Sequence, residues 1–205
     1  TDKVFIPNDG VFVHSKVNGK NATVTIETEV ENKNLQPSNA VVYSIITDRN
    51  GKQLAKTSEQ KVPLSVFGKA TIKQNLNLNN VTFWSLENPY LYKVISVVKS
   101  GNQMVHQKKT RFGIKTVKFD SKEGFFLNGK KIKIQGTNNH QDHAGIGSAL
   151  PDFMQYYRVK LLKEMGSNAY RASHNAPTPE LLEACDSLGM LVVDEQRLLN
   201  SSPEY

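Results

Sequence analysis

The apolar positions of this chain change period part-way along it. Up to Gly113 they alternate. Val24, Ile26, Thr28 and Val30 interleave with Thr23, Thr25, Glu27 and Glu29, the period-2 pattern of a strand with one buried face. Similar runs lie at residues 10–16, 41–47, 70–78, 91–98 and 104–111. Turn signals separate them at Asn18-Gly19, Asp48-Arg49-Asn50-Gly51 and Ser100-Gly101-Asn102. About seven short strands with regular turns predict an immunoglobulin-like β-sandwich over residues 1–113. Cys185 is the single cysteine, so the sandwich is of the disulfide-free kind.

From residue 114 the pattern becomes mixed. Residues 118–134 read as short strands around the turn Asn128-Gly129-Lys130. Met154, Tyr157, Leu161 and Met165 predict one apolar face of a helix over 151–165, with Asp152 as its cap and Gly166 as its stop. Thr178-Pro179-Glu180 predicts a second helix start: an N-cap, a proline at the first helical position and an early acid. Leu181 stands where a capping box would place its acid, and Gly189 supplies the stop. Cys185 falls at helical spacing with Leu181 and Leu188, which predicts a buried, unreactive thiol.

Three strand-like runs flank these helices: residues 131–140, 167–174 and 190–195. Each ends in a polar cluster. The order is β-α-β-α-β, and in parallel β/α architectures the C-terminal strand ends share the face where chemistry is built. Residues 114–205 are therefore expected to be the first part of a (β/α)₈ barrel, about three β/α units long. The junction at Phe112-Gly113 has no flexible linker, so the two parts are expected to pack tightly.

The first cluster is Asn138, Asn139, His140, Gln141, Asp142 and His143. It reads either as a site or as a polar turn satisfying its own backbone. The second is Arg171, Ser173, His174 and Asn175, again at a strand end. The third is Asp194-Glu195. Neighbouring strand residues point to opposite faces, so only one of these acids can face the barrel interior. They cannot act as a catalytic pair; one is free for a ligand or metal and the other pairs with a structural cation. Trp84 reads as a sugar platform or, more in keeping with large aromatics, as a packing residue.

Composition removes some functions. The net charge of +7 is spread along the chain. Its densest cluster, Lys108-Lys109-Thr110-Arg111, borders a strand, and no recognition helix or stacking motif accompanies it, so no nucleic-acid partner is expected. No apolar run approaches the roughly 20 residues of a membrane span. Two rival readings stay open. His140, His143, His174 and Glu195 offer a first-row metal site for a metal-dependent hydrolase. The sandwich half alone would suit a non-catalytic carbohydrate-binding module, which has no use for reactive groups at three successive strand ends.

Several separate motifs carry a resemblance. They are Arg111-Phe112-Gly113-Ile114, Phe126-Leu127-Asn128-Gly129-Lys130, Gly136-Thr137-Asn138-Asn139-His140, Asn168-Ala169-Tyr170-Arg171-Ala172-Ser173-His174, Cys185-Asp186-Ser187-Leu188-Gly189 and Val193-Asp194-Glu195. In this order, together with the Trp84 to Tyr92 segment, they resemble glycoside hydrolase family 2. The β-galactosidase branch is the nearest; β-glucuronidases and β-mannosidases share most of the motifs. The resemblance implies a retaining β-glycosidase built from a sugar-binding jelly roll, an immunoglobulin-like sandwich and a (β/α)₈ barrel. This chain would supply the sandwich and the opening of the barrel.

By that resemblance His140 and His174 match histidines that contact the sugar, and Asp142 lies where some members place a sugar-binding acid. Asn138 belongs to the same binding motif, and Arg171 matches an arginine beneath the active site. Glu195 matches a position that ligates magnesium in some β-galactosidases; the residues present require no cofactor of their own. The family's acid/base follows the fourth strand in an Asn-Glu motif, and no Asn-Glu follows Glu195 here. The chain is thus expected to be an inert piece of a larger enzyme. An open third strand, with Leu191 and Val193 at its edge, is expected to promote self-association. The compartment stays open between periplasm and cytoplasm.

Overall fold

A computed structural model describes residues 2–195. It divides into two compact units, Thr1–Thr82 with Tyr90–Lys115, and Phe83–Pro89 with Thr116–Tyr205. The sequence expectation placed the boundary after residue 113 and did not anticipate that Phe83–Pro89 belongs to the second unit.

Among the described residues the first unit holds nine strands: β1 (Val4–Phe5), β2 (Val11–Asn18), β3 (Asn21–Asn32), β4 (Ser38–Thr47), β5 (Gln53–Lys56), β6 (Gln60–Leu64), β7 (Lys69–Leu78), β8 (Tyr92–Ser100) and β9 (Gln103–Phe112). One sheet joins β1, β3, β2 and β7; the other joins β5, β4, β8, β9 and β6. All pairings are antiparallel. The alternation seen in the sequence decides which side chains face inward. Val24, Ile26 and Val30 of β3 are fully buried, and Val30, Val42, Val62, Ile72 and Val98 from both sheets meet in one core. Sequence reading found six of these strands and missed β1, β5 and β6. The last two lie in succession along one edge of β4, and Ser44 bonds Thr57 between them. A split, Pro63-containing edge strand carries little periodic signal.

The second unit opens with β10 (Val117–Asp120), β11 (Gly124–Leu127) and β12 (Lys130–Lys131). Asn128 and Gly129, both at positive φ (52° and 78°), make the tight turn between the last two, as the Asn-Gly pair predicts. Then follow β13 (Gly136–Asn139), α1 (Asp152–Glu164), β14 (Ala169–Ala172), α2 (Pro179–Leu188) and β15 (Leu191–Val193). The three strands pair in parallel, in the order β13-β14-β15. Val159 of α1 and Leu181, Ala184 and Cys185 of α2 pack with Tyr170, Ala172 and Met190. This is an immunoglobulin-like sandwich followed by the opening of a (β/α)₈ barrel.

The helix ends confirm one expectation and correct another. Thr178 caps α2 by accepting from Leu181 N, Pro179 follows it, and Gly189 closes the helix at φ 72°. In α1, however, Pro151 is the N-cap and makes no side-chain bond; Asp152 is the first helical residue. Its buried face also differs from the expected one. Gln155 and Val159 are buried, with Leu162 partly so, whereas Tyr157, Leu161 and Met165 are exposed. The helix carries apolar residues on two sides, and periodicity alone could not choose between them.

Candidate functional site

Strand parity sorts the polar residues. Tyr170 and Ala172 of β14 are buried against the helices, so Arg171 between them points to the opposite side. Asn138 lies level with it on β13, and Val193 on β15. Val192 packs with the helix cluster, which puts Val193 and, two residues on, Glu195 on the side of Arg171. Asp194 instead accepts a hydrogen bond from the backbone N–H of Glu195 (2.7 Å). Of the two neighbouring acids, Glu195 is the interior one.

These side chains form a connected line. Arg171 donates from Nη1 to Asn138 Oδ1 (2.9 Å) and to Ser173 Oγ (3.4 Å), and from Nη2 to Glu195 Oε1 (3.0 Å). The same carboxylate oxygen lies 3.1 Å from His174 Nδ1. The hydrogen bond from His174, and then the charge of Arg171, hold the Glu195 carboxyl below the usual carboxylate range. The His174 ring meets His140 edge-on, with ring centroids 5.7 Å apart. His140, Gln141, Asp142, Ser148, His174 and Asn175 line an open depression at these strand ends.

Most of the residues singled out in the sequence therefore come together: His140, Asp142 and His174 around the depression, with Asn138, Arg171 and Glu195 beside it. Asn139 turns back on its own strand and bonds Thr137. Sequence reading missed Ser148 and Arg158. The Arg158 guanidinium reaches from α1 to the carbonyl of His140 and pins the loop from behind; nothing in the helical spacing marked it.

The alternative metal site does not assemble. His143 Nδ1 lies against the carbonyl of Ala144 (3.0 Å), and among the described residues no group of three His, Cys, Asp or Glu side chains converges. Magnesium asks for near-octahedral oxygen ligands. Glu195 Oε1 is taken by a guanidinium and an imidazole while its Oε2 is buried without a partner; among the described residues no group of three acid, histidine or cysteine side chains gathers there, so the described donors do not make up that shell. Trp84 is only 2 % exposed and donates to the carbonyl of Asp186, so it packs and offers no sugar platform.

The glycosyl hydrolases family 2 model matches residues 4–115, and that family's TIM barrel domain model matches residues 117–202. The chain belongs to glycosyl hydrolase family 2. A β-galactosidase, BoGH2A of Bacteroides ovatus, is 32% identical over 197 residues, covering 95% of this chain and 23% of its own length. A β-glucuronidase of Formosa agariphila is 30% identical over 187 residues, 90% of this chain and 19% of its own. The crystal structure of a family 2 member from Bacteroides cellulosilyticus superposes with a TM-score of 0.89 at 32% identity, over 96% of this chain and 27% of the other. The chain thus spans about a quarter or less of the length of these family 2 relatives. No described helix is long and apolar enough to cross a membrane.

Proposed function

We propose that this chain forms the sandwich and the opening of the barrel of a retaining β-glycosidase that acts on terminal β-galactosides. The observation that carries the reading is the meeting of His140, Asp142 and His174 at the C-terminal ends of parallel strands. Two imidazoles and a carboxylate suit the donors and acceptors of sugar hydroxyls. Asn138 and Arg171 hold the floor behind them.

Charge favours a neutral sugar over a uronic acid. Asp142 stands in the depression, where a second carboxylate would be repelled. Among the described residues, the arginine carried by these strands, Arg171, already faces Glu195. A β-glucuronide reading therefore has less support in these residues, although β-glucuronidases are among the relatives.

Retaining hydrolysis needs an acid/base and a nucleophile with carboxyl groups about 5–5.5 Å apart. Glu195 is engaged by Arg171 and His174, and Asp194 bonds the backbone beside it. The reacting carboxylates are proposed to come from later strands of a longer protein, and the chain by itself to bind without cleaving. It is further proposed to self-associate through β15.

The test combines an aryl β-galactoside assay with amide NMR. The expected result is no turnover, with methyl β-galactoside shifting the His140, Asp142 and His174 resonances more than methyl β-glucuronide does. Turnover abolished by changing Asp142 or Glu195 would overturn the division of labour. Unmoved resonances would overturn the sugar site.

A further inference from the structure

We infer that Glu195 is a positioning residue: it holds His174 as the Nδ1–H tautomer, so that Nε2 is the nitrogen presented to the sugar. The inference rests on the depression being the sugar site. It goes further in giving one strand-end acid a task that is neither catalysis nor metal binding.

An ionised carboxylate only accepts hydrogen bonds. The His174 nitrogen 3.1 Å from Glu195 Oε1 must therefore carry the proton. In a neutral imidazole this leaves Nε2 as a bare acceptor. Glu195 is itself held in place. Its Oε1 also receives Arg171 Nη2, while Nη1 of the same guanidinium is tied to Asn138 and Ser173. Asn138 is on β13, Arg171 on β14, and Glu195 follows β15, so the clamp spans the ends of all three strands. The His140 ring, edge-on to His174, limits rotation of the imidazole from the other side. Only Oε1 of Glu195 serves the two donors, and Oε2 is buried without a hydrogen-bond partner, but among the described residues no group of three His, Cys, Asp or Glu side chains stands there to hold an ion. Here the magnesium role implied for this position by the family's β-galactosidases gives way to a proton-directing one.

Ring-nitrogen NMR of the labelled chain at pH about 8.5, above the ordinary histidine range, reads the tautomer directly. The expected spectrum shows His174 protonated at Nδ1 and bare at Nε2. Glu195→Ala should shift the ring toward the other tautomer, and Glu195→Gln, which keeps an oxygen acceptor, should restore it. A merely structural role would not move this signature. A wild-type proton on Nε2, an unchanged tautomer in Glu195→Ala, or selective broadening of the Glu195 and His174 signals by equimolar manganese would overturn the assignment. The wild-type spectrum and the manganese arm need no variant, so misfolding of either variant cannot rescue the idea. Methyl β-galactoside is added last. If His174 shows the expected tautomer but ignores the sugar, the sugar-site reading fails and the clamp stands, so the two failures are told apart.

Discussion

Trp84 donates its indole N–H to the backbone carbonyl of Asp186 at 2.8 Å, across 102 residues of sequence. The bond places a piece of chain that precedes the last strands of the sandwich inside the barrel half. The same segment is gripped at two more points. Lys163 Nζ donates to Leu86 O (2.8 Å) and Gly189 O (2.6 Å), and Asn128 donates to Trp84 O (2.9 Å). Burial pushes the Lys163 ammonium down from its usual range, a cost offset by the two carbonyls. Trp84→Ala should therefore cost about 3–5 kcal/mol, as large aromatic truncations in cores do. Hydrogen exchange would locate the loss: α1, α2 and β15 should lose protection, while β3 and β8 keep theirs.

Gly136 sits opposite Ala169, where β13 lies close against β14. A Cβ built there would lie 2.1 Å from the carbonyl oxygen of Ala169, a backbone atom that cannot swing aside. Gly136→Ala should push the two strands apart, with a loss of about 1–3 kcal/mol from overpacking. The Arg171–Asn138 bond would then lengthen. Chemical unfolding measures the first effect, and the Asn138 side-chain amide resonances report the second.

The sequence announced the strands of the sandwich because each buries one face, and period 2 survives wherever one side meets solvent. It announced α2 because capping is local: Thr178, Pro179 and Gly189 act through their own backbone. It also announced which polar groups meet, since His140, His174 and Glu195 lie at the ends of apolar runs and parallel pairing aligns those ends. What stayed hidden depends on distant partners. The buried face of α1 is chosen by where Tyr170 lies, not by the spacing of Met154, Tyr157, Leu161 and Met165. Trp84 read more as a packing residue than as a platform, but its partner stayed unknown until Asp186 came into view. Arg158 is one more basic residue on a helix until the carbonyl of His140 is placed beside it.

Cys185 should be inert in the native protein. It is 1 % exposed, and burial pushes its thiol up to about 12. A thiol must ionise to react, so iodoacetamide should label it only after unfolding. The same shift makes stability depend on alkaline pH. The folded value lies above the unfolded one, so the native state holds the proton more tightly. The contribution is complete below the ordinary thiol value of 9.0 and is lost as pH rises toward about 12. Cys185→Ala should flatten that part of a stability–pH curve. An unchanged curve, or rapid labelling at neutral pH, would count against a buried neutral thiol.

The outer edge of β15 gives the last prediction. Among the described residues β15 pairs only with β14, and Val193 beside that edge is 44% exposed. An unpaired strand edge offers backbone donors and acceptors to any similar edge, and an apolar side chain next to it strengthens the pairing. The 205-residue chain should therefore show a light-scattering mass that rises with concentration. Val193→Lys adds a charge at the edge, of the kind natural proteins use to block such pairing, and should return the mass toward that of one chain. A concentration-independent monomer for the unaltered chain would show that the edge is protected in solution and would remove the argument for self-association.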